Sequence, residues 1–316
     1  LIAHMDTSPA VSGKDVKPQI IVFDGKNAPM VDSKYIGEEL IVSDKTTLLG
    51  ADDKAGVAEI IAACERIIAD DAMKHGRISI CFTPDEEIGR GADRFDFERF
   101  GADFAYTVDG GELGEISNEN FNAAAVELTV HGINTHPGSA KNKMRNAILY
   151  LNEFINLLPA AEIPACTEGR EGFYHIDSVS GNETEARLSM LIRDFDKESF
   201  EKRKQYVEST VTFLNKKYGG ATFEVSVTDS YYNMLEIIEK YPEITARIES
   251  AMRKAGVKPE FEPIRGGTDG ARLSFEGLPC PNLSTGGMNF HSIYEAIPVK
   301  SLEKMTDVLI NILCED

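Results

Sequence analysis

The chain has 316 residues, 42% hydrophobic and 27% charged, which is enough for two domains with packed cores. Its formal net charge of −19, from 33 basic and 52 acidic residues, argues against nucleic acid and anionic membranes as partners, because both need a basic surface. No run approaches the ~18 apolar residues of a membrane span, and no signal peptide is expected. The five cysteines, at 64, 81, 166, 280 and 314, are scattered and form no Cys-x-x-Cys pair. A reducing, cytoplasmic location is the expectation.

Residues 1 to 5 read as a buried strand. An apolar strand is an unusual first element, which raises the expectation of a further segment before it. "PQIIVF" and "EELIVSD" are strand-like, and residues 54 to 70 carry a helical apolar period. "RISICF" (77–82) and "DFAYTVD" (103–109) are strands, the second running into Gly110-Gly111. Strands alternating with helices predict a mostly parallel α/β sheet.

The pattern changes near residue 123. A strand at "AAVELTVHGI" leads to an amphipathic helix over 142–158, strands over 172–181 and 186–196, a long helix over 199–219 and a strand over 221–232. The order β-α-β-β-α-β is the split, ferredoxin-like arrangement. It predicts a small domain, residues 123–232, inserted into a catalytic domain formed by 1–122 and 233–316. The α/β pattern then resumes with a helix over 242–255, a Gly-rich turn into a short helix over 266–277, a strand and turn over 280–287, and a closing helix over 300–314.

The strand ends carry the chemistry. "AHMD" sets His4 and Asp6 two residues apart, on one face of a strand, where a carboxylate can fix an imidazole tautomer and leave its other nitrogen for a metal. "LLGADDKAG" puts Asp52 and Asp53 at a helix start; capping explains one Asp readily and two less well. "TPDEEIG" lines up Asp85, Glu86 and Glu87 after a buried strand, Asp109 ends "YTVD", and His291 follows the strand at 280–285. Each alone has a plain explanation as a surface pair, cap, turn or structural histidine. Together they bring two imidazoles and many carboxylates to the carboxyl ends of core strands, where open α/β sheets bind ligands. So many acids in one crevice repel unless a cation sits among them, and His with carboxylate suits zinc, manganese or cobalt rather than calcium. No Gly-x-Ser-x-Gly elbow, Walker A loop or Gly-x-Gly-x-x-Gly competes.

With these residues in place the sequence resembles a broad family of dizinc exopeptidases and deacylases, in its tripeptide-aminopeptidase branch. The matching stretches are "IAHMDTSP", "LLGADDKAGVAEI", "FTPDEEIGRGA", "AYTVDGGELGEI", "HPGSAK", "EGFYHI", "IRDFD", "DSYYNM", "PIRGGTDGARLSF" and "GLPCPNLSTGG". The resemblance implies a zinc-peptidase-like mixed-sheet catalytic domain with an inserted ferredoxin-like lid. It implies two zinc ions, with manganese or cobalt as alternatives: one held by His4, Asp52 and Asp109, the other by Asp52, Glu87 and His291, with Asp52 bridging. Asp6 would orient His4, Glu86 would be the general base, and Asp52-Asp53 would be a cis peptide. His136 of the lid would donate to the oxyanion.

The implied activity is removal of the N-terminal residue of a tripeptide by metal-activated water. A dipeptidase, carboxypeptidase or N-acyl amino acid deacylase of the same family is the alternative reading. Arg265, in "PIRGGTDG", is the candidate grip for a substrate carboxylate. Asp85 is expected to be structural. The expected partner is a short peptide, and the resemblance allows a homodimer.

Overall fold

The computed structural model describes residues 1–314, and the chain divides into two compact units. The first comprises residues 1–119, 234–264 and the chain from 268 onward; the second comprises 120–233 with 265–267. None of the helices among the described residues is long and apolar enough to cross a membrane.

The first unit is built on a six-stranded mixed sheet. From one edge to the other its strands are Glu260–Phe261, Glu115–Ser117, Asn282–Ser284, Thr107–Gly110, Ile2–His4 and Cys81–Thr83. The last four run parallel, so His4, Thr83 and Asp109 all lie at the same end. The strands in this half are short, and "RISICF" and "DFAYTVD" pair over fewer residues than their apolar runs predict. The reason is partner supply. Register begins with Ile2 against Cys81 and Thr107, and Leu1 is already tied by its ammonium to the Ser79 carbonyl at 2.8 Å. Helix Ala51–Ala69 packs on this sheet with the helices Pro242–Lys254 and Val299–Leu313 in one apolar core. A separate three-stranded antiparallel sheet joins Gln19–Val22, Glu39–Val42 and Ala296–Pro298.

The second unit is the βαββαβ run. Its strands Asn122–His131, Phe173–Gly181, Glu185–Asp194 and Phe223–Tyr231 form one antiparallel sheet in the spatial order fourth, first, third, second. Alternation decides its faces. Ala124, Val126, Leu128, Ala186, Leu188, Met190 and Ile192 point to one side and pack against helices Ala147–Leu157 and Lys197–Tyr218. The first of these helices starts five residues later than its apolar pattern predicts. Asn146 Oδ1 accepts the Ile148 and Leu149 N–H groups as an N-cap, and Ile133 and Arg145 exchange backbone bonds that hold the preceding segment out of the helix.

One core residue breaks the apolar rule. Glu59 lies on the inner face of helix Ala51–Ala69, 1% exposed, with neither carboxylate oxygen hydrogen-bonded. Burial alone pushes its carboxyl well above the ordinary 4.5. The folded chain therefore holds a proton that the unfolded chain releases, so this group's contribution to stability falls as pH rises above about 4.5. Glu59→Gln keeps the shape and cannot ionise. Thermal unfolding from pH 5 to 8 is expected to show its Tm advantage over the parent chain widening with pH; a constant gap would mean Glu59 is not held neutral.

Candidate metal centre

The centre lies in the first unit, where the parallel strands end. His4 is the last residue of its strand and 2% exposed. Its Nδ1 sits 3.1 Å from the Asp6 backbone oxygen and 3.4 Å from Asp6 Oδ1, which sends Nε2 the other way. Nε2 lies 2.9 Å from Asp52 Oδ1 and 3.3 Å from Asp109 Oδ1. On the far side of Asp52, His291 Nε2 lies 3.0 Å from Oδ2 and 3.2 Å from Glu87 Oε2. The donors thus fall into two groups of three that share Asp52, one oxygen to each.

Asp52 and Asp53 have parted company. Their peptide bond is cis, and neither has helical backbone angles. Asp53 is the cap: its Oδ1 accepts the Gly56 N–H at 3.1 Å and its Oδ2 the His4 N–H at 3.0 Å. Donor atoms of His4, Asp53 and Asp109 also lie within 4.8 Å of one another, as do those of His4, Asp52 and Glu87. Asp53, however, has backbone donors on both oxygens, which leaves Asp52 as the better-placed ligand. Gly56 makes the cap fit, since a Cβ there would lie 2.0 Å from the Val108 carbonyl and 2.5 Å from Asp53 Oδ1.

The "TPDEEIG" stretch is a tight turn. Asp85 adopts left-handed backbone, φ 63°, which Asp tolerates better than most residues, and it begins a 3-10 turn over Glu86–Ile88. The Asp6 carboxylate holds this turn, Oδ1 accepting the Glu86 N–H and Oδ2 the Glu87 N–H, both at 3.2 Å. Asp6 therefore positions the glutamate pair as well as lying beside His4. Glu87 points one oxygen at His291 and buries the other without a partner. Glu86 belongs to neither group of donors.

The electrostatics favour a cation among these groups. Burial pushes the Asp109 carboxyl up to about 7, and the neighbouring Asp52 charge adds to it. Burial and then the Asp109 charge push Glu86 up to about 8. Burial disfavours a charged His4, yet Asp109 and Asp52 together push it up to about 12. An imidazole and a bridging carboxylate held this way, with an orphaned Glu87 oxygen nearby, are a donor set suited to divalent cations.

Two buried acids beneath the centre escaped the sequence reading. Glu295, 2% exposed, accepts the N–H groups of Leu49, Gly50 and Asp52 at 2.8, 2.7 and 2.9 Å, so it braces the loop that carries Asp52. Asp269 accepts the Thr83 hydroxyl at 3.1 Å, just ahead of the glutamate turn. Spacing gave no cue to Glu295; for Asp269 the cue was its place in the quoted "GGTDG".

In the second unit, His136 is exposed and its Nδ1 accepts the Gly138 N–H at 3.1 Å, so in the neutral ring Nε2 carries the proton. Arg265 is committed to its own unit. Its Nη1 donates to the Gly169 and Glu171 carbonyls and its Nη2 to the Thr167 carbonyl and hydroxyl, while the guanidinium lies over the Phe121 and Phe173 rings. Arg265, the candidate grip for a substrate carboxylate, thus has both terminal nitrogens on oxygens of the 167–171 loop.

The model of peptidase family M20/M25/M40 matches residues 49–315. A peptidase T of Halothermothrix orenii is 54% identical over 99% of this chain and 80% of that protein. The chain belongs to this family. It falls on the peptidase T branch and is a metallopeptidase. Among solved structures, an aminopeptidase PepT from Bacillus cereus and a tripeptidase from Staphylococcus aureus each match with TM-score 0.81 and 26% identity, over 99% of this chain and 79% of theirs. Their shared fold agrees with the mixed α/β architecture described above.

The brace beneath the centre is testable. Glu295→Ala strands three buried N–H groups and is expected to lower unfolding stability by about 2–4 kcal/mol and to weaken retention of added zinc. Exposed Glu303→Ala serves as control; equal melting and equal zinc retention in the two variants would show that Glu295 braces nothing.

Proposed function

We propose that this peptidase removes the N-terminal residue of tripeptides with the help of two divalent metal ions, zinc in the first instance. His4, Asp52 and Asp109 would hold one ion, and Asp52, Glu87 and His291 the other. The observation that carries this reading is Asp52, which turns one oxygen to each histidine while Glu86 stays outside both groups. Bound there, such ions supply Lewis acidity and lower the pKa of water toward neutrality.

The protein's own groups do the rest. Glu86 takes the proton from the attacking water and returns it to the departing amine. Asp6 fixes the backbone on which Glu86 and Glu87 sit, so the two adjacent glutamates keep different directions. His136, with its proton on Nε2, is a candidate donor to the oxyanion. The second unit is the candidate lid. The size class of the substrate is supported by the tripeptidase to which the chain is similar.

Glu86→Ala and Glu87→Ala are expected to fail differently. Loss of the general base should cost at least about a hundredfold in kcat with about two metals per chain retained. Glu87→Ala should lose metal. Metal analysis, alongside hydrolysis of a panel of di-, tri- and tetrapeptides and acyl amino acids, checks both points. Loss of metal in Glu86→Ala would make it a ligand, and preferred cleavage of dipeptides or acyl amino acids would move the substrate to the other members of the family.

A further inference from the structure

The glutamate turn of the first unit is held at both ends by one helix. Residues 83–92 leave the end of strand Cys81–Thr83, run through the 3-10 turn Glu86–Ile88 and enter a second one at Gly91–Arg94. Inside this loop the Gly89 and Arg90 N–H groups donate back to the Glu86 and Asp85 carbonyls at 2.6 and 2.9 Å. The Asp6 carboxylate holds its middle, at Glu86 and Glu87.

Asp269 holds the ends. It opens helix Asp269–Phe275, where an acid ordinarily serves the helix as a cap or through its dipole. Here Thr268 is the cap, its Oγ1 accepting the Gly270 N–H at 2.8 Å. The Asp269 side chain is instead turned inward, 6% exposed, and Oδ2 accepts the Thr83 hydroxyl at 3.1 Å, ahead of the glutamates. Behind them, the Ala92 N–H also favours the charged carboxylate, against a burial that pushes its pKa up. Gly91 lies so close that a Cβ there would come within 2.0 Å of Asp269 Oδ2.

The rest of the helix supports the same loop. Arg272 pairs with Asp93, which also accepts from Arg90 Nε at 2.8 Å. Ala92 and Leu273 belong to one small apolar cluster. Burying a carboxylate costs free energy unless its oxygens are engaged. The groups that engage Asp269 are the two ends of the loop that carries Glu86 and Glu87.

We infer that Asp269 is a positioning residue for peptide hydrolysis: by tying Thr83 to Ala92 it fixes the span of the loop and so the place of Glu86. This rests on the reading of Glu86 as general base given above. Asp269 acts through the backbone of the loop and not on the reacting atoms.

At saturating zinc, Asp269→Ala is expected to lower kcat for a tripeptide by about tenfold to a hundredfold with KM within about threefold, as for a catalytic group displaced by about 1 Å. Asp269→Asn should keep most of the parent's kcat, because its amide can accept from Ala92 and donate to the Thr83 oxygen. Ser274→Ala is the control. It removes a buried hydroxyl of the same helix that donates to the Gly270 carbonyl and accepts the Cys280 N–H, and it should lower Tm while kcat stays within about twofold. Hydrogen exchange of the Glu86 and Glu87 amides in metal-free protein gives a readout independent of turnover. It should be at least about tenfold faster in Asp269→Ala than in the parent chain, and unchanged in Ser274→Ala. If Asp269→Ala does not fold, Thr83→Val, which keeps the shape and loses the hydroxyl, decides the matter with smaller changes in the same two readouts. If the parent chain cleaves no tripeptide, the general-base reading fails and hydrogen exchange still decides this one. Unchanged exchange at Glu86 and Glu87 in the Asp269→Ala or Thr83→Val variant, or a kcat loss no greater than that of Ser274→Ala, overturns the inference.

Discussion

Repulsion among buried carboxylates is the constraint on which the first unit depends. Asp52, Asp109, Glu86 and Glu87 crowd the end of three parallel strands, and burial and mutual charge raise the Asp109 and Glu86 carboxyls to about 7 and 8. The fold answers with two kinds of acid. Asp6, Asp53 and Glu295 have their oxygens engaged by backbone N–H groups on the inner side of the site. Asp52, Asp109 and Glu87 turn their oxygens toward His4 and His291. The inward acids hold the loops on which the outward ones ride. Cations would then stabilise the outward set by the same Coulomb term that now opposes it.

Neighbours in sequence are divided the same way. Asp52 and Asp53 differ by one residue, yet one faces two imidazoles and the other caps a helix. Glu86 and Glu87 share one support, the Asp6 carboxylate, and only Glu87 reaches a histidine. The backbone makes these divisions: non-helical angles at Asp52 and Asp53, and a left-handed Asp85 ahead of a 3-10 turn.

Much of this was legible from sequence, for reasons that can be located. Strand ends with acids and histidines stood out because apolar runs stop there, and the βαββαβ order stood out because its strands and helices each carry a clear apolar pattern. Glu295 and Asp269 did not, because a buried acid looks like a surface acid until its donors are known. Those donors lie some 245 and 186 residues away for Gly50–Glu295 and Thr83–Asp269. The carbonyl partners of Arg265 in the 167–171 loop are likewise remote in sequence and gave no cue. The start of helix Ala147–Leu157 was placed too early because apolar period registers the buried face and not the Asn146 cap.

The central claim is that one carboxylate, Asp52, serves two metal positions. Zinc stoichiometry by elemental analysis and calorimetric titration of Asp52→Asn against the parent chain tests it most directly. The account predicts about two zinc ions per parent chain and loss of high-affinity binding at both positions in the variant, with folding intact by circular dichroism. A variant that keeps one full-affinity zinc site would contradict it, because Asp52 would then belong to a single position.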